Sequence, residues 1–152
     1  MVGKILQDTY PVPSAPQAYD IVQARFPYNE EPYKPGPKRR PCLVLAVQAN
    51  VDNSGTHYAT VQVAYGTSQA QPNRPPWEYF HVHNYTALDR SGLCRDTYFI
   101  VTRVQWLLWC EDYFPVVKEL ETPILGHLPH NHILALKNLK DVRDSMRTQG
   151  IL

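Results

Sequence analysis

The sequence predicts a mainly β protein of the α+β class, with a small, strongly curved antiparallel sheet and a C-terminal α-helix. Fourteen prolines against seven glycines, together with ten tyrosines, favour short strands and stiff loops over a helical bundle. Several short segments alternate apolar and polar side chains, which is the period of a half-buried strand. The last segment instead repeats apolar residues every three or four positions, which is the period of an amphipathic helix.

Length and composition predict one domain preceded by a short arm. With 152 residues, of which 43% are hydrophobic, the chain can bury a single core. Residues 1–18 contain Pro11, Pro13 and Pro16 and little apolar material, so we expect a proline-rich N-terminal arm that belongs to no core element. The single domain is then expected over residues 19–152.

The positions of the strands are predicted from local periodicity. Expected strands cover residues 20–26, 42–47, 59–65, 79–83 and 97–102, with further apolar residues at 106–109. The second of these is apolar at both odd and even positions, so we expect it at the centre of the sheet, covered on both faces. From residue 131 onward, Ile133, Leu136 and Leu139 fall on one side of a helix of about four turns.

The second and third predicted strands form a hairpin. The segment between them supplies Asn, Asp, Ser and Gly, which is a dense turn signal. If the turn centres near Ser54, antiparallel pairing brings the two strand ends together, with α-carbons about 5 Å apart. The residues that meet there are Arg40 and Pro41 on one strand and Thr67 and Ser68 on the other.

This end of the hairpin carries a cluster of cations. The net charge of +1 excludes a strong overall field for nucleic acid, so a polyanion would bind at a local patch, formed by Lys34, Lys38, Arg39 and Arg40. Arginine matches phosphate oxygens with a planar fork of donors, and the Thr67 hydroxyl adds a neutral hydrogen bond. Together they could clamp a phosphodiester and stabilise the added charge of its transition state. The alternative is an ordinary solvated basic turn.

The histidines form a second candidate site. His81 and His83 share one face of a predicted strand, whereas His127, His130 and His132 precede the helix. Either set is a hypothetical metal site, because imidazole is a common metal ligand. Neither set has a carboxylate or thiolate at a diagnostic spacing, so surface or capping histidines are the alternative and no metal is expected.

Aromatic residues form a third candidate. Trp77, Tyr79, Phe80 and Tyr85 follow a loop that contains Arg74. Exposed rings stack on unpaired bases in many proteins that bind single-stranded RNA. Core or dimer contacts are the alternative role for these residues.

The cysteines and the lack of long apolar runs predict a cellular location. Cys42, Cys94 and Cys110 form no close pair, which argues against a disulfide framework or a Cys-x-x-Cys zinc site and favours the reducing cytoplasm. Cys42 lies within an apolar strand and is expected to be buried rather than nucleophilic. No apolar run approaches the roughly twenty residues that cross a bilayer, so no membrane association is expected.

Six short segments follow one another in a distinctive order: DIVQARFP (20–27), KRRPCLVLAV (38–47), VAYGTSQ (63–69), SGL (91–93), FIVTRVQWL (99–107) and ILGHL (124–128). Their order and spacing resemble the PemK/MazF family of toxin endoribonucleases. Members typically read GDIV, then RP with an apolar strand, then T-S-Q, then a strand ending in Gln, and G-x-L before the last helix. Tyr19 stands where members usually have the first glycine, and Val104 where some carry a catalytic acid.

The resemblance implies an SH3-like small β-barrel that acts as a cytoplasmic homodimer, cuts single-stranded RNA without metal or cofactor, and is restrained by a cognate antitoxin protein. Arg40 of the RP motif would hold the phosphate or transfer a proton, and Thr67 would stabilise the transition state. The expected products carry a 2′,3′-cyclic phosphate and a 5′-hydroxyl. The other residues expected to bind RNA or phosphate are Lys38, Arg39, Ser68, Gln69 and Arg74.

Two alternatives to the nuclease remain open at this point. The first is a catalytically inactive module of the same type that binds nucleic acid or a protein partner, in phage defence or counter-defence. The second is a metal-dependent enzyme that uses the histidines.

Overall fold

A computed structural model describes residues 9–152, in which six strands and two α-helices surround a two-part core. The strands are β1 (Asp20–Ala24), β2 (Arg40–Val51), β3 (His57–Thr67), β4 (Tyr79–Val82), β5 (Thr97–Leu108) and β6 (Ile124–His127). The α-helices are α1 (Tyr85–Arg90) and α2 (His130–Thr148), and short 3₁₀ turns cover Val12–Ser14 and Pro76–Glu78. The predicted mainly β architecture with a C-terminal helix is confirmed.

The strands form one antiparallel sheet in the order β4-β5-β3-β2-β1-β6. As expected, β2 lies inside the sheet and is paired on both sides. Within residues 9–152, β4 and β6 are the edges of the sheet, so its strand ladder does not close into a barrel.

The predicted hairpin of β2 and β3 is confirmed, including its register. Cys42 lies opposite Tyr65, and one irregularity between Val44 and Ala46 shifts the pairing toward the turn. The Asp52 carboxylate shapes that turn by accepting hydrogen bonds from the amides of Ser54 (2.8 Å) and Thr56 (2.9 Å). A hydrogen bond from the Ser54 hydroxyl, together with these backbone bonds, holds the pKa of Asp52 below its ordinary value.

The apolar segments expected at 97–102 and 106–109 belong largely to one long strand, β5, which contains a bulge. Ala64 pairs with Val104, but the next residue of β3, Tyr65, pairs with Ile100. Residues 101–103 are therefore extra on β5. A bulge of this kind changes the direction in which nearby side chains point.

The sheet buries apolar side chains on both faces. The face covered by α2 will be called the helix face; it carries Ile21, Leu43, Ala64, Phe99 and, from the helix, Leu136. The opposite face will be called the front face; it carries Val22, Ala24, Cys42, Val63 and the neighbouring Trp109. Because side chains alternate along a strand, residues next to each other in sequence lie on different faces.

Residues 9–18 pack on the front face. The Tyr10 amide donates to the Trp109 carbonyl (3.0 Å), and the Trp109 indole donates to the Ser14 hydroxyl (3.0 Å). Tyr10, Val12 and Ala15 contact the core. The expectation of an arm that belongs to no core element was therefore wrong for these residues, because three of their apolar side chains pack against the core. The remainder of the predicted arm, residues 1–8, lies outside the described residues.

The helices agree only in part with the sequence. The predicted C-terminal helix is confirmed and begins at His130. The short helix α1 was not predicted; Asn84 caps it by accepting from the Ala87 amide (2.9 Å). Six residues are too few for a periodic pattern to stand out. In the part of the chain that the structure describes, no helix has both the length and the apolar composition needed to span a membrane.

Candidate phosphate site

Arg40 and Thr67 occupy facing ends of two paired strands. β2 begins at Arg40 and β3 ends at Thr67, two residues beyond the pair formed by Cys42 and Tyr65. The strands remain in close contact there, since a Cβ added at Gly66 would lie 2.0 Å from the Pro41 carbonyl oxygen. Continuing the register by two residues on each strand places Arg40 and Thr67 side by side on the front face.

A second arginine joins Arg40 at the ring of Tyr65. The guanidinium carbon lies 5.3 Å from the ring centroid for Arg40 and 4.2 Å for Arg103. Both groups carry full positive charge at neutral pH. The ring therefore links two cations on the front face through cation–π contacts.

Both guanidinium groups retain capacity for an anion. Neither Arg40 nor Arg103 forms an ion pair with a carboxylate of residues 9–152. The Nε of Arg103 is buried and has no hydrogen-bond partner among the described residues. Buried donors are normally satisfied, so an unpaired one beside a second cation is a place where an anionic ligand would be stabilised.

Thr67 is more enclosed than its neighbours. The residue is only 7% exposed, and its hydroxyl oxygen accepts a hydrogen bond from the Gln69 amide (3.2 Å). The hydroxyl proton has no acceptor among the described residues, so it is available to a ligand oxygen. Ser68 and Gln69 are exposed and lie in the turn that covers this hydroxyl.

The basic loop before β2 is held by a backbone hydrogen bond, and its cations differ in whether they pair with a carboxylate. Lys38 and Arg39 are exposed next to Arg40, whereas Lys34 pairs with Glu31 at 2.6 Å. The Gly36 amide donates to the Arg25 carbonyl (3.1 Å), which ties the loop to the end of β1. The cationic patch is therefore smaller than the sequence predicted, because Glu31 partly neutralises the charge of Lys34.

Arg74 forms internal contacts instead of joining this cluster. Its Nη1 lies 3.2 Å from a Glu78 carboxylate oxygen and 3.4 Å from the Thr102 hydroxyl. Its Nε donates to the Gln71 side chain (3.4 Å). The guanidinium therefore ties its loop to the bulge of β5, and a role in RNA binding stays a prediction.

Sequence reasoning did not identify Arg103. The bulge brings Arg103 to Tyr65, while Val104 pairs with Ala64 on the helix face and lines a groove of about 500 Å³ beside α2. In this backbone an acid at position 104 would face α2 rather than Arg40. The available signal was that Arg103 is the one charged residue of its strand, but the bulge that decides its direction depends on pairing with β3.

The buried thiol behind the cluster is not a nucleophile. Cys42 is fully buried, and burial raises the pKa of its thiol to about 12, against the smaller lowering influence of Arg40 and Arg103. A thiol with such a pKa stays protonated at neutral pH. The expectation that Cys42 fills the core is confirmed.

His81 and His127 lie at opposite edges of the sheet. His81 stacks on the ring of Tyr98 and contacts the tilted ring of His83, and burial together with the nearby His83 lowers the pKa of His132. At the other edge of the sheet, the Nδ1 of His127 lies 2.6 Å from an Asp20 carboxylate oxygen. No group of three or more metal-ligating side chains comes together within residues 9–152.

The predicted aromatic candidates also separate. Phe80 is buried in the core on the helix face, so the alternative role is confirmed for it. Tyr79 contacts the ring of Tyr98. Tyr85 is 84% exposed on α1, and the Trp77 carbonyl accepts from Arg143 (3.0 Å).

No family model and no curated protein matches the chain. Proposals about function therefore depend on the site geometry and on the motif resemblance.

Proposed function

We propose that this protein is a metal-independent endoribonuclease toxin that cleaves single-stranded RNA. The observation that carries the proposal is the placement of Arg40 and Thr67 at facing strand ends on one side of the sheet, with Arg103 beside Arg40 at Tyr65. Two cations and a hydroxyl donor would surround a phosphodiester there. Charge that develops on the phosphoryl oxygens is stabilised most by donors already held in place.

The proposed reaction uses the nucleophile that RNA itself supplies. The 2′-hydroxyl oxygen forms a bond to the adjacent phosphorus and loses its proton, while the bond from phosphorus to the 5′-oxygen breaks and that oxygen gains a proton. The products are a 2′,3′-cyclic phosphate and a 5′-hydroxyl. Arg40 holds the phosphoryl oxygens with its donor fork, Thr67 donates its hydroxyl proton, and Lys38, Arg39, Ser68 and Gln69 contact the flanking chain.

A backbone feature supports the proposed relation to the PemK/MazF family. Tyr19 stands where members usually have glycine, and it adopts a positive φ of 74°. Positive φ is uncommon for residues other than glycine, so this conformation suits the family's usual residue. An SH3-like fold, a cytoplasmic homodimer and inhibition by a cognate antitoxin are further parts of the proposal that come from the motif resemblance.

End mapping of cleaved RNA tests the activity directly. The purified protein, incubated with a mixed-sequence single-stranded RNA in EDTA, should yield fragments with 2′,3′-cyclic phosphates and 5′-hydroxyls. These ends follow from attack by the 2′-hydroxyl. Fragments with 5′-phosphates, or cleavage that EDTA abolishes, would contradict the proposed chemistry.

Arg103 and Val104 give opposite predictions. Arg103→Ala should lower kcat/KM by about tenfold to a hundredfold, because it removes one of the two cations at Tyr65. Val104→Asp should change kcat/KM by less than about twofold, since that side chain lies on the helix face. Cleavage rates of the folded variants check both. A strong gain of activity in Val104→Asp would show that a carboxylate at 104 reaches the phosphate.

The burial of Thr67 favours a second candidate function. A module of the same shape could bind RNA or DNA, or a protein partner, through its cations without cleaving, because the turn of Ser68 and Gln69 covers the hydroxyl. Binding of an RNA pool that remains intact after long incubation would support this alternative. Cleavage that depends on Thr67 would exclude it.

A further inference from the structure

We propose that a ladder of four rings, Tyr79, Tyr98, His81 and His83, binds an unpaired base of the RNA strand next to the phosphate site. The inference rests on the proposed RNA substrate and adds a subsite to it. The rings belong to β4 and β5 and to the residue that follows β4.

The four rings are in continuous contact. His81 lies flat on Tyr98, with centroids 4.0 Å apart and planes within 9° of parallel. His83 continues from His81 at 4.5 Å, and Tyr79 meets Tyr98 edge to face at 5.5 Å. His83 is exposed at the end of this series. A planar base stacked on His83 would therefore extend the ladder by one ring.

Two rings of the ladder, Tyr98 and His81, share a face and a row with the phosphate site. Thr67 pairs with Tyr98, and Tyr98 pairs with His81, so these three side chains point to the same side of the sheet. Neighbouring strands lie about 5 Å apart, which puts Tyr98 one strand spacing from Thr67. Arg40 precedes Thr67 in the same row. A strand of RNA held at Arg40 and Thr67 would thus have a stacking surface for an adjacent base.

The contacts of the ladder with the rest of the protein do not explain why these four rings lie together. The Nε2 of His81 is 3.4 Å from an Asp96 carboxylate oxygen but makes no hydrogen bond within the described residues. The core side chains of the same strands, Phe80, Val82 and Phe99, face the other way. Every RNA base has a π face and can stack on such a ring. The ladder is therefore suited to single-stranded RNA of any sequence.

Fluorescence anisotropy with uncleavable probes tests the subsite. The probes are a labelled 2′-O-methyl oligoribonucleotide and the same oligonucleotide with abasic sites. Wild type should prefer the probe with bases by about tenfold, and His83→Ala or Tyr98→Ala should lose most of that preference while binding the abasic probe as before. His83→Phe should retain it, because a ring face is kept without the imidazole. Trp106→Ala, which removes an exposed aromatic on the helix face, is the matched control and should leave the base preference unchanged.

Each result has a defined meaning. If His83→Ala and Tyr98→Ala both bind the probe with bases as tightly as wild type, and thermal melts show that both are folded, the subsite is wrong. The nuclease proposal would still stand. The same holds if wild type binds both probes equally. Loss of base preference in a protein that never cleaves RNA would support the subsite and overturn the nuclease. If wild type binds neither probe and His83→Ala instead disrupts a dimer in sedimentation, the ladder is a subunit contact and the inference is wrong.

Discussion

Replacement of Arg40 by alanine is expected to lower RNA cleavage by at least about a thousandfold, because a preorganised donor to the phosphoryl oxygens is lost together with its charge. Arg40 lies in the same row as Thr67, where the scissile phosphate is proposed to bind. Its only described ring contact is at Tyr65, and losing a cation–π pair costs about 0.5–1 kcal/mol, so the fold should survive. Initial cleavage rates and a thermal melt of the same sample measure both effects.

Arg39→Ala is the matched control, since it removes the same charge one residue away. Arg39 is exposed and lies outside β2, so its loss should weaken substrate binding severalfold at most, in a way that higher salt reduces further. Arg40→Lys should fall between the two, because an ammonium keeps the charge without the planar fork. If Arg40→Ala cleaves RNA at the wild-type rate, the proposed site is wrong.

Trp109→Ala is expected to cost about 3–5 kcal/mol of unfolding free energy, because it empties a large volume of the core. Trp109 is 1% exposed and packs against Tyr10 and Phe114, with ring centroids 5.1 and 4.9 Å away. Its indole also donates to Ser14, so the substitution loosens residues 9–18 as well. Natural domains have a total stability of about 5–15 kcal/mol, so the loss would be a large fraction of it.

Urea unfolding of two tryptophan variants checks this prediction. Trp106, three residues earlier in the chain, is 47% exposed, and Trp106→Ala should change the unfolding free energy by less than about 1 kcal/mol. Ser14→Ala should cost about 1–3 kcal/mol, since it leaves the buried indole N–H unpaired. Equal stability of the Trp109 and Trp106 variants would mean that residues 9–18 do not cover the front face as described.

The hairpin was predictable because every signal for it is local. The turn residues around Asp52 lie between two alternating strands, and antiparallel pairing then determines which strand ends meet. The neighbourhood of Arg40 and Thr67 follows from that arithmetic. The same locality explains the successful prediction of α2, whose period extends over five turns of helix.

The bulge, α1 and residues 9–18 were not predictable in the same way. The bulge opposite Tyr65 depends on how β5 pairs with β3, two strands separated by α1 and β4 in the chain. Residues 9–18 carry three prolines and few apolar residues, and only their long-range contacts, including those with Trp109, assign them to the core. Long-range contacts of this kind produce no hydrophobic periodicity in β5 or in residues 9–18 from which they could be predicted.

The sequence by itself determined the strands, the final helix and the end of the hairpin where Arg40 and Thr67 meet, because propensity, turn chemistry and periodicity act over a few neighbouring residues. Only the tertiary structure decided that Arg103, rather than Val104, reaches Tyr65, and that His81 stacks on Tyr98 in the row of Thr67 with His83 against it. The physical reason is that a side chain's face depends on strand register, and a bulge of three residues in β5 resets that register between distant parts of the chain.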